Sequence, residues 1–209
     1  MRLKFQAPPN LPIPGVAYEP SYLNRLLGVL RLYFNTLFSF QQQVSSDVGG
    51  SYIKTPYGAF SSLTNQTPSA ANTPQVVTLE VSDYYNAITN SNGRMTVDND
   101  GLYNFQMSVQ FENANVAIKE ATVWLRVNGV DSPATASQIS VDSKHGGVNG
   151  YFIFACNFFL YLNAADYVEM WWATNSTDVI MEAYAASTSP FARPAIPSVV
   201  ATLSFVSAV

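Results

Sequence analysis

The stretch 102-LYNFQMSVQF-111 decides the fold class of this chain of 209 residues. Apolar and polar residues alternate along it without interruption, and the apolar positions are Tyr103, Phe105, Met107, Val109 and Phe111. Because successive side chains of a β-strand point to opposite faces, this period of two predicts a strand with one buried and one solvated face.

The same period continues outward from this stretch. In 121-ATVWLRV-127 the inward set is Ala121, Val123, Leu125 and Val127, and in 199-VVATLSF-205 it is Val199, Ala201, Leu203 and Phe205. The turn motifs NSNG, DNDG, VNG, KHGG and LNAAD separate such runs. Many strands with turn signals and no helical stretch predict an antiparallel jelly-roll sandwich over residues 57–209, and hence a mainly β protein.

One strand departs from the alternation. The run 151-YFIFACNFFLYL-162 is apolar on both faces except at Asn157, whereas a strand of a two-sheet sandwich needs one buried face. The run 170-MWW-172 also places large side chains on both faces of a strand. We therefore expect another copy of the chain to cover the outer face, with these interface candidates: Tyr151, Ile153, Phe159, Tyr161, Trp171 and Trp172.

A different period precedes the sandwich. Over residues 21–44, with Ser21 as the expected N-cap, apolar residues occupy a complete a/d heptad pattern: Leu23, Leu26, Leu30, Tyr33, Leu37, Phe40 and Val44. This set is called the helix seam below. Leu27, Phe34 and Phe38 widen it, which favours a trimeric coiled coil or bundle, with a helix packed inside a monomeric fold as the alternative. Arg25 and Arg31 argue against a membrane span.

The first 20 residues hold five of the 12 prolines, so they predict an extended arm followed, after the helix, by a linker over 45–56. Apolar residues between the prolines favour an arm laid on a partner over a loose leader. The proposed docking residues are Leu11, Pro12, Ile13, Pro14 and Tyr18. The start MRLKFQAPPN lacks the apolar segment of a signal peptide, so assembly inside the cell is expected.

Composition limits the function classes. Charged residues make up 11% of the chain against about 25% in typical globular proteins. A net charge of −4 argues against a nucleic-acid surface. Cys156 is the single cysteine, so no intrachain disulfide can form, and it is expected to be a small apolar core residue.

Chemistry-bearing motifs are sparse. His145 is the only histidine and lies in a glycine turn, so neither a catalytic triad nor a zinc site is expected. The DNDG motif at 98–101 fits a hairpin turn better than a calcium loop, which requires a distal glutamate. We expect no enzyme activity, metal or cofactor, with Trp171 and Trp172 as an alternative sugar-binding platform.

Three motifs in order resemble the complement globular-head and tumour necrosis factor-like jelly rolls over residues 57–209. The first, NGRMTVDNDGLYNFQMSV, supplies Gly93, Gly101, Tyr103 and Phe105. The second, WLRVNGV, ends in Asn128 and Gly129, and the third, FFLYLNAADYVEMWW, has its turn at Asp166. The resemblance implies a homotrimer, although animal members of the family usually follow collagen or a signal peptide.

The PNLPIP leader, the LLGVLRLYFNTL helix, and the PYGAFSS and IPSVVATLSFV segments are similar to structural proteins of tailed bacteriophages of aquatic bacteria. The resemblance implies a non-enzymatic virion protein assembled in the bacterial cytoplasm. Its arm would bind other virion proteins, and its head could contact a host glycan or protein. A tail-fibre or tail-associated appendage is expected, with three alternatives: a capsid decoration protein at three-fold positions, a carbohydrate-binding or depolymerase module, and a secreted signalling ligand.

Overall fold

A computed structural model describes residues 7–17, 19–46 and 54–208. The chain divides into two units, residues 1–54 and 55–209, and each is described by itself.

The N-terminal unit contains one helix, α1, from Pro20 to Val44. It begins one residue before the predicted start, and the predicted N-cap at Ser21 is wrong. Pro20 lies in the first turn of the helix, where a backbone N–H has no acceptor within the helix, so its missing N–H costs no hydrogen bond. The N-cap is Glu19, which has an extended backbone conformation. The Ser21 hydroxyl instead donates to the Glu19 carboxylate at 3.3 Å.

The C-terminal unit is built from strands throughout, as the period of two predicted. The described strands are β1 (Tyr57–Ser62), β2 (Gln75–Val76), β3 (Val81–Asn86), β4 (Ile88–Ser91), β5 (Arg94–Val97), β6 (Gly101–Asn113), β7 (Lys119–Val127), β8 (Val130–Asp131), β9 (Ser137–Val141), β10 (Gly150–Leu162), β11 (Tyr167–Thr174), β12 (Val179–Met181) and β13 (Val199–Ser207).

These strands form two antiparallel sheets. The first, here the β6 sheet, has the order β10-β6-β13-β1-β3, with β12 also paired to β6. The second, here the β7 sheet, has the order β4-β5-β11-β7-β8, with β2 paired to β11 and β9 to β7. The mainly β fold class, an antiparallel sandwich preceded by one N-terminal helix, is thereby confirmed.

The inward faces of both sheets share one hydrophobic core. All five apolar residues of the opening stretch are buried there, as are Ala121, Val123, Leu125, Val199, Ala201 and Leu203. Phe111 of the β6 sheet lies 6.1 Å from Trp172 of the β7 sheet, measured between ring centroids. The alternation therefore predicted correctly which side of these strands is buried.

Trp172 corrects one sequence-based assignment. Its side chain is fully buried in the core of its own chain, so it cannot be the interface residue that the sequence suggested. The reason is the alternation of β11, which turns Trp171 outward and therefore Trp172 inward. The indole Nε1 of Trp172 has no hydrogen-bond partner among the described residues.

Two predicted turns have the backbone that their residues favour. Asn92 and Gly93 connect β4 to β5 with φ of 51° and 101°, and Asn128 and Gly129 connect β7 to β8 with φ of 52° and 78°. Two consecutive positive φ angles match the twist of a tight hairpin. A Cβ at Gly93 would lie 2.2 Å from the Val77 carbonyl oxygen, so this position also needs glycine for space.

Candidate interaction face

On the outward side of four adjacent strands of the β6 sheet, the rows between Leu102 and Gln110 carry no charged residue. Pairing places Asn157 opposite Gln106 and Phe159 opposite Asn104, and Thr202 follows Gln106 on the next strand. This set, called the uncharged face, comprises Ile153, Ala155, Asn157, Phe159 and Tyr161 of β10, Leu102, Asn104, Gln106, Ser108 and Gln110 of β6, Val200, Thr202 and Ser204 of β13, and Tyr57 and Ala59 of β1.

The uncharged face is concave in the middle. Short or amide side chains from β6, β10 and β13 line a shallow groove of about 590 Å³ there. The amide of Asn104 donates to the Asn157 side chain at 2.7 Å, which orients these two groups across the strands. Large side chains stand on both sides of the groove along β10, with Ile153 exposed at one end and Phe159 and Tyr161 exposed at the other.

This face is large enough to form the central part of a protein interface. It spans nine residues each of β10 and β6, five of β13 and three of β1, which at ~3.4 Å per residue and ~4.8 Å between strands cover roughly 420 Å² in plane. Relief from the side chains adds to this value, and a standard interface buries ~800 Å² per partner. One copy of a protein of similar size could therefore cover the whole face.

Strand β10 also lies at the edge of its sheet. It has 13 residues, and among the described strands it pairs only with β6. Phe152 points toward the inner side but is still exposed, and Phe154 and Phe158 are only partly buried. Long apolar edge strands promote aggregation unless they are covered, so this edge adds to the apolar surface available for a partner.

The predicted interface residues do not all belong to this region. Ile153, Phe159 and Tyr161 lie on the uncharged face, and Tyr151 is exposed on the same side of β10, one row beyond it. Trp171 lies on the outward side of the β7 sheet, the opposite side of the sandwich. Trp172, as described above, lies inside the core.

Trp171 belongs to a charged and aromatic cluster on the β7 sheet. The Arg126 guanidinium carbon lies 3.8 Å from the Trp171 ring centroid, and Arg126 Nε is 2.6 Å from Asp131 Oδ1. Trp124 Nε1 donates to the same oxygen at 2.7 Å. Hydrogen bonds from Arg126 and then Trp124 hold the pKa of Asp131 below its usual range. Because Arg126 covers one face of the Trp171 ring, that face is not free to stack on a sugar.

The cluster continues along the same sheet. Arg94 Nη2 lies 2.9 Å from Glu169 Oε1, and its guanidinium carbon is 4.1 Å from the Tyr167 ring centroid. Trp171 Nε1 donates to the other carboxylate oxygen of Glu169 at 3.3 Å. The two outer faces of the sandwich therefore differ, since the β7 sheet carries paired charges whereas the uncharged face of the β6 sheet carries none.

The residues considered for chemistry stand apart from one another. His145 is exposed, and its backbone pairs with Val148 in a turn at 2.8 and 2.9 Å. Cys156 is half-buried beside the core, and burial raises its pKa to about 12, which keeps the thiol protonated near neutral pH. Among the described residues, no group of three or more His, Cys, Asp or Glu side chains is placed to hold a metal ion.

In the N-terminal unit, α1 buries none of its side chains. Five residues of the helix seam are half-buried (Leu26, Leu30, Tyr33, Phe40 and Val44), whereas Leu23 and Leu37 are exposed. Leu27, Phe34 and Phe38, which widen the seam, are also exposed. Within the described ranges, no helix has the length and apolar character required to cross a membrane.

The described part of the arm, residues 7–17, contains neither helix nor strand. Leu11 and Ile13 are exposed there, as is Pro14, while Pro12 is half-buried. Tyr18, the fifth proposed docking residue, lies outside the described residues, as do residues 47–53 of the predicted linker.

The uncharged face extends beyond what the sequence suggested, because the contributions of β6, β13 and β1 were missed. A usable signal was present: the outward positions of 102–110 carry only Leu, Asn, Gln and Ser, without the Lys and Glu typical of solvated strands. Comparison with known proteins found no family model that matches the chain and no curated protein that matches it.

Proposed function

We propose that this chain is a non-enzymatic homotrimeric structural protein of a bacteriophage particle. Its N-terminal arm would bind other virion proteins, and its sandwich would be displayed as a head. The observation that carries the proposal is the uncharged face, which is wide enough for a copy of the chain and bears large exposed apolar side chains.

The chemistry of this face favours a partner over permanent contact with water. Burying an unpaired charge costs roughly several kcal/mol, whereas amides and hydroxyls can exchange hydrogen bonds to water for hydrogen bonds to a partner. The polar side chains of β6 and β13 on this face are amides and hydroxyls. A three-fold axis beside the β10 edge would allow three copies to cover both the edge strand and the neighbouring face.

The helix provides independent support for self-association. It spans about 37 Å at 1.5 Å per residue, and none of its residues is buried. Three parallel copies would bury Leu23, Leu30 and Leu37 together with the half-buried residues of the seam. The width of the apolar stripe fits three helices better than two.

Placement in a virion rests on the resemblance of the arm, helix and head to tailed-phage proteins. A tail-fibre or tail-associated appendage that contacts the host is the first assignment, and a capsid decoration protein at three-fold positions is the alternative. Deletion of residues 1–20 should leave a folded trimer that no longer joins particles. Imaging of particles with the chain labelled at its C-terminus would distinguish the tail from the capsid.

A carbohydrate-binding head is a second candidate function. The specific observation in its favour is the shallow groove with the amides of Gln106 and Asn157, beside the exposed ring of Phe159. Aromatic rings and amides together are the groups that sugars contact in open sites. The two functions make opposite demands on this face, because a trimer that covers it would exclude a glycan.

Sedimentation velocity of the full chain separates these possibilities. A trimer has three times the 22.9 kDa mass of one chain. A monomer at micromolar concentration would contradict the homotrimer and would leave the face open for a ligand. A glycan array probed with the same sample would then test the second function directly.

A further inference from the structure

Two carboxyl groups meet at one end of the β6 sheet, beyond the uncharged face. Glu112 is the penultimate residue of β6, points outward, and is only 6% exposed. Glu182 follows directly after β12, which pairs with β6 so that Ile180 lies opposite Glu112. Tyr151 of β10 lies opposite Glu112 on the other side.

The strand register places Glu182 opposite Gln110, so Glu112 and Glu182 are diagonal neighbours on the outward side of the β6 sheet, where long side chains reach one another. Asn149 donates its side-chain N–H to Glu112, and the Tyr184 hydroxyl donates to Glu182. Two carboxylates have acceptors only, so a hydrogen bond between them requires that one of them keeps its proton. The register therefore brings together two carboxyl groups that can share one proton.

The electrostatic surroundings favour retention of this proton. Burial raises the pKa of Glu182 to about 7, and the nearby Glu112 acts in the same direction, whereas the hydrogen bond from Tyr184 opposes both. Burial also raises the pKa of Tyr184, with contributions from Glu182 and Tyr151, so this hydroxyl stays a donor. Among the described residues, no basic side chain forms an ion pair with either glutamate.

Arg193 is the cation on the segment that follows the pair. Its guanidinium carbon lies 5.5 Å from the ring centroid of Tyr184, the residue whose hydroxyl donates to Glu182. Its Nη1 donates to the Ala185 and Pro194 carbonyl oxygens at 2.9 and 3.2 Å. Arg193 is thus engaged within its own segment and does not neutralise the glutamates.

Residues 182–198 connect β12 to β13 and are here called the 182–198 loop. Glu182 is the first residue of this loop. Its backbone N–H donates to Gln110 O at 2.9 Å, and the Gln110 amide donates back to Glu182 O at 3.2 Å. Two isolated bridges, Tyr184 with Ile196 and Ser187 with Arg193, fold the loop into a hairpin. Loops of this length are commonly functional.

We propose that the proton shared by Glu112 and Glu182 clamps the base of the 182–198 loop to the β6 sheet, so that the loop is released when this proton is lost. With the proton present, one carboxyl group donates to the other and the base of the loop is held. When the proton is lost to water, the negative charges of Glu112 and Glu182 face each other without a paired cation, and their repulsion opens the contact. The device depends on the fold of one chain and does not require the trimer.

Hydrogen exchange measured by mass spectrometry on the full chain tests this proposal between pH 5.5 and 8.5, after correction for the intrinsic pH dependence of exchange. The amides to follow are those of Glu182, Tyr184, Ser187, Arg193 and Ile196, which donate to backbone oxygens. We expect their protection to fall by roughly three- to tenfold with a midpoint near neutral pH. Amides of β7 in the same sample serve as an internal reference.

Two variants and a control sharpen the result. Glu182→Gln keeps a hydrogen-bonding side chain of the same size without a titratable proton, so loop protection should become independent of pH. Glu112→Gln should do the same by removing the other charge. Glu120→Gln, an exposed glutamate at the start of β7, should leave the wild-type pH dependence unchanged.

Thermal unfolding of each variant, followed by circular dichroism, establishes that it folds before exchange is compared. Flat protection of the loop across the pH range in the unmodified chain would overturn the proposal. So would a Glu182→Gln protein that folds normally yet keeps the wild-type dependence. If one glutamine variant fails to fold, the other gives the decisive comparison.

Discussion

Replacement of Phe159 by glutamate is the sharpest test of the uncharged face. The Phe159 side chain is 62% exposed on one chain, and a phenylalanine side chain offers ~200 Å² of burial. Covering the exposed part would therefore bury ~125 Å², which stabilises the trimer by ~3 kcal/mol per copy at ~25 cal/mol per Å². Over three copies, roughly 9 kcal/mol of gross association free energy depends on this position.

Glutamate removes that contribution and adds the cost of burying a charge. Sedimentation velocity and sedimentation equilibrium at about 1–50 µM chain measure the change in the association constant. Ile118→Glu is the matched control, because Ile118 is 60% exposed and lies just before β7, off the uncharged face. We expect Phe159→Glu to weaken association strongly and Ile118→Glu to leave it close to that of the unmodified chain.

The fold should survive the Phe159 substitution. Since Phe159 is exposed on the single chain, Phe159→Glu should fold normally and lose association rather than secondary structure. Equal association constants for Phe159→Glu, Ile118→Glu and the unmodified chain would refute the assignment of this face as the interface. An unfolded Phe159→Glu protein would contradict its surface position on the isolated chain.

Three further predictions concern the helix, the β7 sheet and the core. Leu30→Ala should weaken association by about 2–5 kcal/mol per copy, whereas Leu32→Ala, off the helix seam, should not; equal effects in sedimentation equilibrium would contradict the seam. The pKa of Asp131 is depressed in the folded chain, so the ionised carboxylate stabilises the fold above its unfolded pKa, and this stabilisation is lost as the pH falls through its folded pKa. The free energy of unfolding in urea should therefore fall less between about pH 4 and 2 for Arg126→Ala than for the unmodified chain. Asn113 is fully buried and donates to three backbone carbonyls, so Asn113→Ala should lower the free energy of unfolding by about 2–3 kcal/mol, and an unchanged urea midpoint would contradict this role.

The strands were predictable because their signal is local. Tyr103 to Phe111 alternate within one strand, and every second residue of a strand must face the same way. The same holds for the Asn128-Gly129 turn, whose residues favour positive φ. The predicted start of the helix was wrong by one residue. Local rules allow either Pro20 as the first helical residue or Ser21 as the N-cap, and the structure has the first of these.

The two neighbouring tryptophans mark the limit of such local signals. The sequence indicated that Trp171 and Trp172 face opposite ways, but not which one faces the core. Only the packing of the second sheet places Trp172 beside Phe111 and leaves Trp171 under Arg126. A sheet has two faces that are equivalent until another layer covers one of them.

The sequence by itself determined the class of each segment: a helix with an apolar seam, a series of alternating strands, and tight turns at Asn-Gly pairs. The tertiary structure decided which distant segments became neighbours. Thr202 and Asn157 flank Gln106, and Glu182 lies diagonally across from Glu112, only because strands far apart in sequence pair with β6. The uncharged face and the carboxyl pair are products of this pairing, which depends on sheet register over the whole chain and leaves no signature within any single strand.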